Sequence, residues 1–112
     1  KVTKVFCCAD AGYVMNPDGF IAQMESGIIY GLTSVLFGEI SLKDGAVQQS
    51  NFHDYKMVRM DNAPEISVEI INSNVPDIGG GGEPGTPPIA PAVTNAIFAA
   101  TGNRIRNLPI KV

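Results

Sequence analysis

Two stretches of the chain carry the hydrophobic pattern of β-strands. Val2 to Ala9 is a short apolar run that ends at the turn residues Asp10 and Gly12, which is typical of a buried strand. Glu65 to Ile71 instead alternates isoleucine and valine with glutamate and serine. Because successive strand side chains point to opposite faces, this second stretch predicts a strand with one buried and one solvated face.

Two longer stretches repeat their apolar residues at helical spacing. The first helix is expected to begin at Asn16, whose side chain can cap the free amides of the first turn, with Pro17 and Asp18 at favourable positions directly after it. Its apolar stripe recurs at steps of three and four residues. The stripe comprises Ile21, Met24, Ile28, Leu32 and Val35.

The second helix is expected near the end of the chain. Thr86 is the predicted cap, and Pro87 and Pro88 are tolerated in a first turn because their missing amides would have no partner there. The helix should stop at position 100 or 101, just before Gly102, which suits the left-handed residue after a helix. Its stripe comprises Ile89, Val93, Ala96, Ile97 and Ala100.

A second face of the first helix is lined by glycine. Gly27 and Gly31 lie there at helical spacing with Gln23 and Ser34. Since a glycine inside a helix costs roughly 0.5 to 1 kcal/mol relative to alanine, this face predicts a close approach by another group. That group is either a second stretch of backbone or a flat ligand, and the spacing alone favours backbone packing.

The remaining segments predict turns and loops. The dipeptide Asp44-Gly45 between two alternating stretches, Leu36 to Leu42 and Ala46 to Ser50, is a strong hairpin signal. Residues 51–63 follow neither period and predict an irregular crossing segment, and residues 72–88 are rich in glycine and proline and predict a loop. The order strand, helix, hairpin, strand, helix predicts an α+β fold with a small mixed sheet, forming a single domain over residues 1–112.

Composition and charge exclude several classes of function. With 8 basic and 11 acidic residues the chain has a formal charge of −3 and lacks the basic stripe that binding to a phosphate backbone requires, so we expect no nucleic-acid partner. No uninterrupted apolar run reaches the ~20 residues of a membrane span. The first residues lack the zones of a signal peptide. The chain opens with Lys1, which suggests a processed chain or a piece of a longer protein.

The cysteines are adjacent in sequence. Neighbours on an extended strand point to opposite faces, so Cys7 and Cys8 cannot form an ordinary disulfide or share a metal. We expect both to be small buried hydrophobic residues. They do not reveal the redox compartment of the protein.

The sharpest candidate for chemistry is a single acid in a glycine-rich loop. Glu83 follows Gly79-Gly80-Gly81-Gly82 and precedes Pro84-Gly85, so no side chain next to it in sequence can pair with its carboxylate. The glycines allow a ligand or backbone to come close, which makes Glu83 a candidate general base, with a solvated loop acid as the alternative. Desolvation would favour its neutral form and a nearby helix N-terminus its anion. The sequence leaves open which effect prevails.

Other chemistries lack the residues that they need. The loop has neither the Lys-Ser/Thr pair nor the G-x-G-x-x-G spacing of phosphate-binding loops. His53 and Asp54 are adjacent and expected to diverge, so they predict no catalytic pair, and we expect His53 to be a surface or packing residue. With one histidine and no clustered cysteines, the sequence predicts no metal site built from protein ligands.

Several short motifs become specific when they are taken in order. They are Asp10-Ala11-Gly12 with Asn16-Pro17, Gln23-Met24-Glu25-Ser26-Gly27 with Gly31-Leu32, Asn51-Phe52-His53-Asp54-Tyr55, and the run from Gly82 to Ala92. A chain with this ordered set resembles, over essentially its whole length, the C-terminal part of the molybdenum-binding large subunit of the xanthine dehydrogenase and aldehyde oxidase family. Within that family the isoquinoline 1-oxidoreductase branch is the most similar.

The resemblance implies a molybdenum hydroxylase. In this family a molybdenum ion held by a pterin dithiolene hydroxylates an electron-poor carbon, here of an N-heterocycle or an aldehyde, with oxygen from water. The complete enzyme would carry molybdopterin in its cytosine dinucleotide form, and a small partner subunit would carry iron–sulfur clusters that take the electrons away. The remainder of the large subunit would supply most of the cofactor cage. The 112 residues alone would therefore be inactive and bind no molybdenum.

The resemblance also implies roles for particular residues. Glu83 matches the glutamate of the family's Gly-x-Gly-Glu motif, which acts as the base of the reaction. Gln23 matches a helix glutamine that hydrogen-bonds the pterin, and Gly81 and Gly82 would lie against the cofactor. Ser26 departs from the pattern, because close relatives usually have a glycine there, so the contacts around it are expected to differ.

A second class of function stays open beside this one. The chain could be a non-catalytic module that uses the face of Gln23, Gly27 and Gly31 to dock a protein or a flat ligand. The sequence distinguishes neither the substrate nor the oligomeric state nor the electron acceptor.

Overall fold

The computed structural model describes residues 1–71, 73 and 75–111 as an α+β fold. The predicted order of strand, helix, hairpin, strand and helix is confirmed. The described residues form two sheets of two strands each, one parallel and one antiparallel. They stay separate because the hairpin strands are short and pair only with each other. The elements are β1 (Lys4–Ala9), α1 (Pro17–Phe37), β2 (Leu42–Lys43), β3 (Ala46–Val47), β4 (Glu65–Ile70) and α2 (Ile89–Thr101).

The parallel sheet joins the first strand to the last. Lys4 of β1 lies opposite Glu65 of β4, and Ala9 lies opposite Ile70. Both strands alternate exposed and half-buried residues, and α1 packs against β4. The predicted solvated face of β4 is thus confirmed. On the same outer face Phe6 of β1 is 80% exposed, so the prediction of a buried strand from Val2 to Ala9 is wrong for this face, which nothing covers in the described chain.

The two cysteines differ in their surroundings. Cys7 is half-buried, whereas Cys8 is exposed, and neither forms a disulfide. Burial raises the pKa of the Cys7 thiol, and the neighbouring Cys8 raises it further. The prediction that both are buried is wrong for Cys8, because adjacent strand residues point to opposite faces and only one face of this sheet is covered.

α1 begins as the sequence predicts. The Asn16 side chain accepts a hydrogen bond from the amide of Gly19 at 3.0 Å, and Pro17 occupies the first helical position. Helical structure continues to Phe37, so the start of the alternating stretch at Leu36 belongs to α1 and not to the hairpin.

The hairpin itself is confirmed but short. Asp44 and Gly45 adopt φ values of 51° and 78°, and each flanking strand has 2 residues. Positive φ at both central positions is the geometry that joins twisted antiparallel strands, and it explains why this dipeptide is informative.

By length and composition alone, α1 is the one helix in the described chain that could cross a membrane. The sequence prediction considered only uninterrupted apolar runs, and Asp18 and Glu25 interrupt this one. In the structure the apolar stripe of α1 packs within the core, where Leu32 is 0% and Val35 1% exposed. We therefore interpret α1 as the central helix of this fold.

α2 differs from the prediction at its start and agrees at its end. It begins at Ile89 after Pro88, without a side-chain cap, so the predicted cap at Thr86 is wrong. The Thr86 amide instead donates to the Glu83 carbonyl at 2.9 Å and closes a turn of the preceding loop. At the other end Gly102 is left-handed, with φ of 76°, as expected.

The glycine face of α1 lies against the backbone of the loop at residues 85–86. A Cβ added to Gly31 would lie 2.5 Å from the Thr86 carbonyl oxygen, and one added to Gly27 would lie 3.4 Å from Cα of Gly85. From the other side, a Cβ on Gly85 would lie 2.8 Å from the Met24 carbonyl oxygen. The predicted close approach is therefore confirmed as backbone packing.

This packing gives a test with a definite sign. We expect Gly31→Ala to lower the free energy of unfolding by about 1 to 3 kcal/mol, because the added methyl overpacks the contact with the Thr86 carbonyl. At an exposed helical position the same change would raise stability by up to about 1 kcal/mol. Urea unfolding measures the difference. Ser34→Ala is the control, because Ser34 lies on the same face at an exposed position, and it is expected within about 0.5 kcal/mol of the parent protein. A stabilising Gly31→Ala would contradict the packing.

Candidate active site

The glycine-rich loop is attached at its start to the end of β1. The Gly79 amide donates to the Ala11 carbonyl at 2.8 Å, and Gly12 forms an isolated antiparallel bridge with Ile78. The Asp10 carboxylate accepts from the Gly12 amide at 3.0 Å and so stabilises the turn that makes these contacts. Gly12 has φ of 66°, which favours glycine at this position. The first motif of the chain thus holds the loop by its backbone.

The second attachment comes from the first helix. Nε2 of Gln23 donates to the carbonyl oxygen of Gly82, the residue directly before Glu83. Oε1 of Gln23 accepts no hydrogen bond from residues 1–71, 73 or 75–111. The amide therefore holds the loop with one atom and keeps an acceptor available for a ligand with the other.

Glu83 presents its carboxylate to solvent at the edge of a cleft. Its residue is exposed, and within the described part of the chain no ion pair or hydrogen bond involves its side chain. The cleft, of about 310 Å³, lies between the loop and α1, from which Gln23, Ser26 and Tyr30 contribute to its wall. The backbone at Glu83 is held in a turn, because the Glu83 carbonyl accepts a hydrogen bond from the Thr86 amide. The backbone that carries the carboxylate is thus held in place, while the carboxylate oxygens are accessible to a ligand.

The two glycines before Glu83 have different surroundings. A Cβ on Gly81 would lie 2.8 Å from the ring of Phe20, so the loop backbone rests on that ring. A Cβ on Gly82 would meet nothing within 4 Å, so this position faces open space. Phe20 lies four residues before Met24, at helical spacing with the apolar stripe of α1, but no pattern in the sequence marks it as a neighbour of the loop.

The motif around His53 forms a turn of its own. The Asp54 carboxylate accepts from the amides of Ser50 and Asn51 at 2.9 to 3.0 Å, and the Asn51 and Ser50 amides lower the pKa of Asp54 to about 2. His53 is 74% exposed, in agreement with a surface residue. Its Nε2 lies 3.6 Å from Asp54, so the expectation that the two side chains diverge is wrong. Neither residue lines the cleft at Glu83.

The arrangement fits one edge of a ligand site. A cleft of about 310 Å³ is at the small end of the range for ligand pockets, about 300 to 1,000 Å³. It combines an amide acceptor on Gln23, an open backbone position at Gly82 and the carboxylate of Glu83, which can recognise a polar heterocycle and accept a proton beside it. In the described ranges no group of three or more His, Cys, Asp or Glu side chains is placed to hold a metal ion.

The chain matches one protein family and several known proteins. Residues 1–64 match the family described as the molybdopterin cofactor-binding domain. The isoquinoline 1-oxidoreductase subunit beta of Brevundimonas diminuta is 41% identical over 111 residues, which are 99% of this chain and 14% of the relative. A protein of Gluconacetobacter polyoxogenes named membrane-bound aldehyde dehydrogenase (pyrroloquinoline-quinone) is 38% identical over 108 residues, covering 96% of this chain and 14% of that protein.

A solved structure shares the fold. The crystal structure of quinoline 2-oxidoreductase from Pseudomonas putida 86 superimposes with a TM-score of 0.76 at 23% identity, covering 96% of this chain and 15% of that one. The chain thus spans only 14% of the length of the two curated relatives above.

The turn at Asp54 predicts a pH dependence. The folded pKa of about 2 lies below the ordinary value of 3.8, so the ionised carboxylate stabilises the turn above about pH 4, and this contribution is lost as the pH falls through about 2. We expect the Asp54 carboxyl carbon to titrate near pH 2 by NMR, with Asp54→Asn used to assign its resonance. Titration close to pH 4 would show that the backbone amides do not bind the carboxylate in solution.

Proposed function

The chain belongs to the family of molybdopterin cofactor-binding domains, which confirms its resemblance to the xanthine dehydrogenase and aldehyde oxidase family, and we propose that Glu83 is the catalytic base of a molybdenum hydroxylase. The proposed reaction places water-derived oxygen on an electron-poor carbon of an N-heterocycle or an aldehyde. One observation carries the proposal: Glu83 is an exposed carboxylate on a loop that is attached to both β1 and α1.

The surroundings of Glu83 suit a proton acceptor. The described structure places no cation at the carboxylate, so both oxygens are available to accept a proton from a hydroxyl group beside it. The turn to Thr86 and the bond from Gln23 to Gly82 hold the backbone on either side of the acid. Because the backbone is already held, only the side-chain torsions of Glu83 have to be ordered for the reaction, which lowers the entropic cost and supports the assignment.

The cofactor is proposed to bind along Gln23 and Gly82. Oε1 of Gln23 can accept a hydrogen bond from a pterin N–H, and the open side of Gly82 allows a planar ring to approach the backbone. When bound, molybdopterin supplies the molybdenum that carries out the redox chemistry. On the family resemblance we extend the proposal to the cytosine dinucleotide form and to a small partner subunit whose iron–sulfur clusters remove the electrons.

The remainder of a large subunit is part of the proposal. The chain spans 14% of the isoquinoline 1-oxidoreductase beta subunit, and its cleft forms one wall that is open to solvent. We propose that the rest of the subunit supplies the other walls and the substrate pocket. The 112 residues alone are then inactive and bind no molybdenum.

The geometry disfavours the alternative of a docking module built on the glycine face. Gly27 and Gly31 are buried, and the backbone at residues 85–86 already covers them. Of the face that the sequence offers for docking, only Gln23 remains exposed, and its amide is bonded to the loop.

The test of the proposed base is Glu83→Gln in the complete subunit. We expect kcat to fall by about 10² to 10⁴-fold with unchanged molybdenum content, because glutamine keeps the shape of the side chain but cannot take up the proton. Steady-state kinetics and metal analysis measure the two quantities. Glu39→Gln is the matched control, since Glu39 is an exposed acid paired with Lys111 at 2.8 Å and lies outside the cleft. Parent-like turnover of Glu83→Gln would overturn the assignment.

A further inference from the structure

The ring of Phe20 lies directly against the loop, two residues before Glu83. An added Cβ on Gly81 would lie 2.8 Å from Cε2 and 2.9 Å from Cδ2 of that ring. Real Cβ atoms essentially never come so close to another heavy atom, so a side chain at position 81 requires either the ring or the loop to move. Gly81 and Phe20 are thus complementary in size.

The backbone that carries the ring is well defined. Phe20 lies at the start of α1, where its amide donates to the Asn16 carbonyl at 3.0 Å. The Asn16 side chain caps the same turn through the Gly19 amide. The ring is half-buried, in a groove that it shares with Met24 of α1. The ring that packs against Gly81 is therefore carried by the capped first turn of α1.

Gly81 is the one glycine of its run that meets a side chain. A Cβ on Gly80 or on Gly82 would meet nothing within 4 Å. Phe20 and Gln23 are three positions apart on α1 and therefore lie on the same face of the helix. The ring contacts Gly81, and the Gln23 amide binds the carbonyl of Gly82. Consecutive loop residues are thus held by neighbouring side chains of one helix.

We propose that Phe20 is a positioning residue for Glu83, an inference that rests on the proposed function. The ring sets the distance between the loop and α1, and it is the reason that position 81 requires glycine. Consecutive Cα atoms are 3.8 Å apart, so only about two peptide units separate Gly81 from Glu83 and a shift at Gly81 reaches the carboxylate. A misplacement of about 1 Å can lower a rate by about 10²-fold.

A double-mutant cycle in the complete, cofactor-containing subunit tests the proposal. We expect Gly81→Ala to lower kcat by about 10²-fold with little change in KM, because the loop is pushed away from the ring. Phe20→Ala in the same chain should restore part of this loss, since the added methyl then has room, although the ring no longer sets the distance. Gly80→Ala is the matched control, because its methyl meets nothing within 4 Å. Phe20→Leu alone should keep more activity than Phe20→Ala alone.

Thermal unfolding of the same variants without cofactor gives a readout that is independent of activity. We expect the Gly81→Ala and Phe20→Ala changes to be coupled in both unfolding temperature and kcat. If the two changes are coupled in unfolding temperature but additive in kcat, Phe20 has only a structural role and the proposal is overturned. Equal kcat values for Gly81→Ala and Gly80→Ala would overturn it as well.

Glu83→Gln separates this inference from the proposed function. If that variant loses turnover while the cycle is additive in kcat, the positioning role fails and the catalytic base stands. If Glu83→Gln turns over like the parent protein, the base assignment fails, and the positioning role that depends on it fails with it.

Discussion

The close approach of two backbones, α1 and the loop at residues 85–86, determines where the candidate base lies. The approach needs glycine on both sides, because a Cβ on Gly31 or on Gly85 would come within 2.8 Å of atoms on the opposite element. This contact fixes the end of the loop, and the bond from Gly79 to Ala11 fixes its beginning. Between them lies a short stretch with few neighbours, and Glu83 is its only ionisable residue.

The glycine-rich loop is flexible by composition and is ordered by its contacts with α1. A run of glycines is costly to order, since glycine loses more conformational freedom on folding than any other residue. A few contacts from α1 offset that entropic cost, and the most specific of them is the hydrogen bond from Gln23 to Gly82. Without side chains on the glycines, a ligand can approach the backbone beside the carboxylate. The same residues thus explain both the order of the loop and its accessibility.

The surface is consistent with a piece of a larger subunit. Large apolar side chains are exposed in several parts of the described chain, where Phe6 is 80%, Leu42 71% and Met60 96% exposed. The chain spans 14% of the length of its curated relatives, and its cleft is a single wall. Contacts made by the rest of a large subunit would cover such side chains and complete the cleft.

The sequence predicted best what depends on neighbouring residues. The cap at Asn16, the turn at Asp44-Gly45 and the left-handed Gly102 are local features, and each is confirmed. The cap at Thr86 was wrong because tertiary contacts with α1 hold that residue in the preceding turn. Contacts of the loop with Gln23 join residues 59 positions apart, which no periodic pattern reveals. The composition of the loop marked Glu83 as a candidate base, whereas the roles of Gln23, Gly81 and Gly82 came from the family resemblance, and periodicity contributed only the glycine face.

The most direct measurement is a crystal or cryo-EM structure of the complete subunit with its cofactor and a substrate analogue bound. The account predicts the Glu83 carboxylate within about 2.6 to 3.2 Å of a polar atom of the bound groups, directly or through one water. A carboxylate that faces bulk solvent, with the cofactor bound at a different surface of the domain, would contradict it.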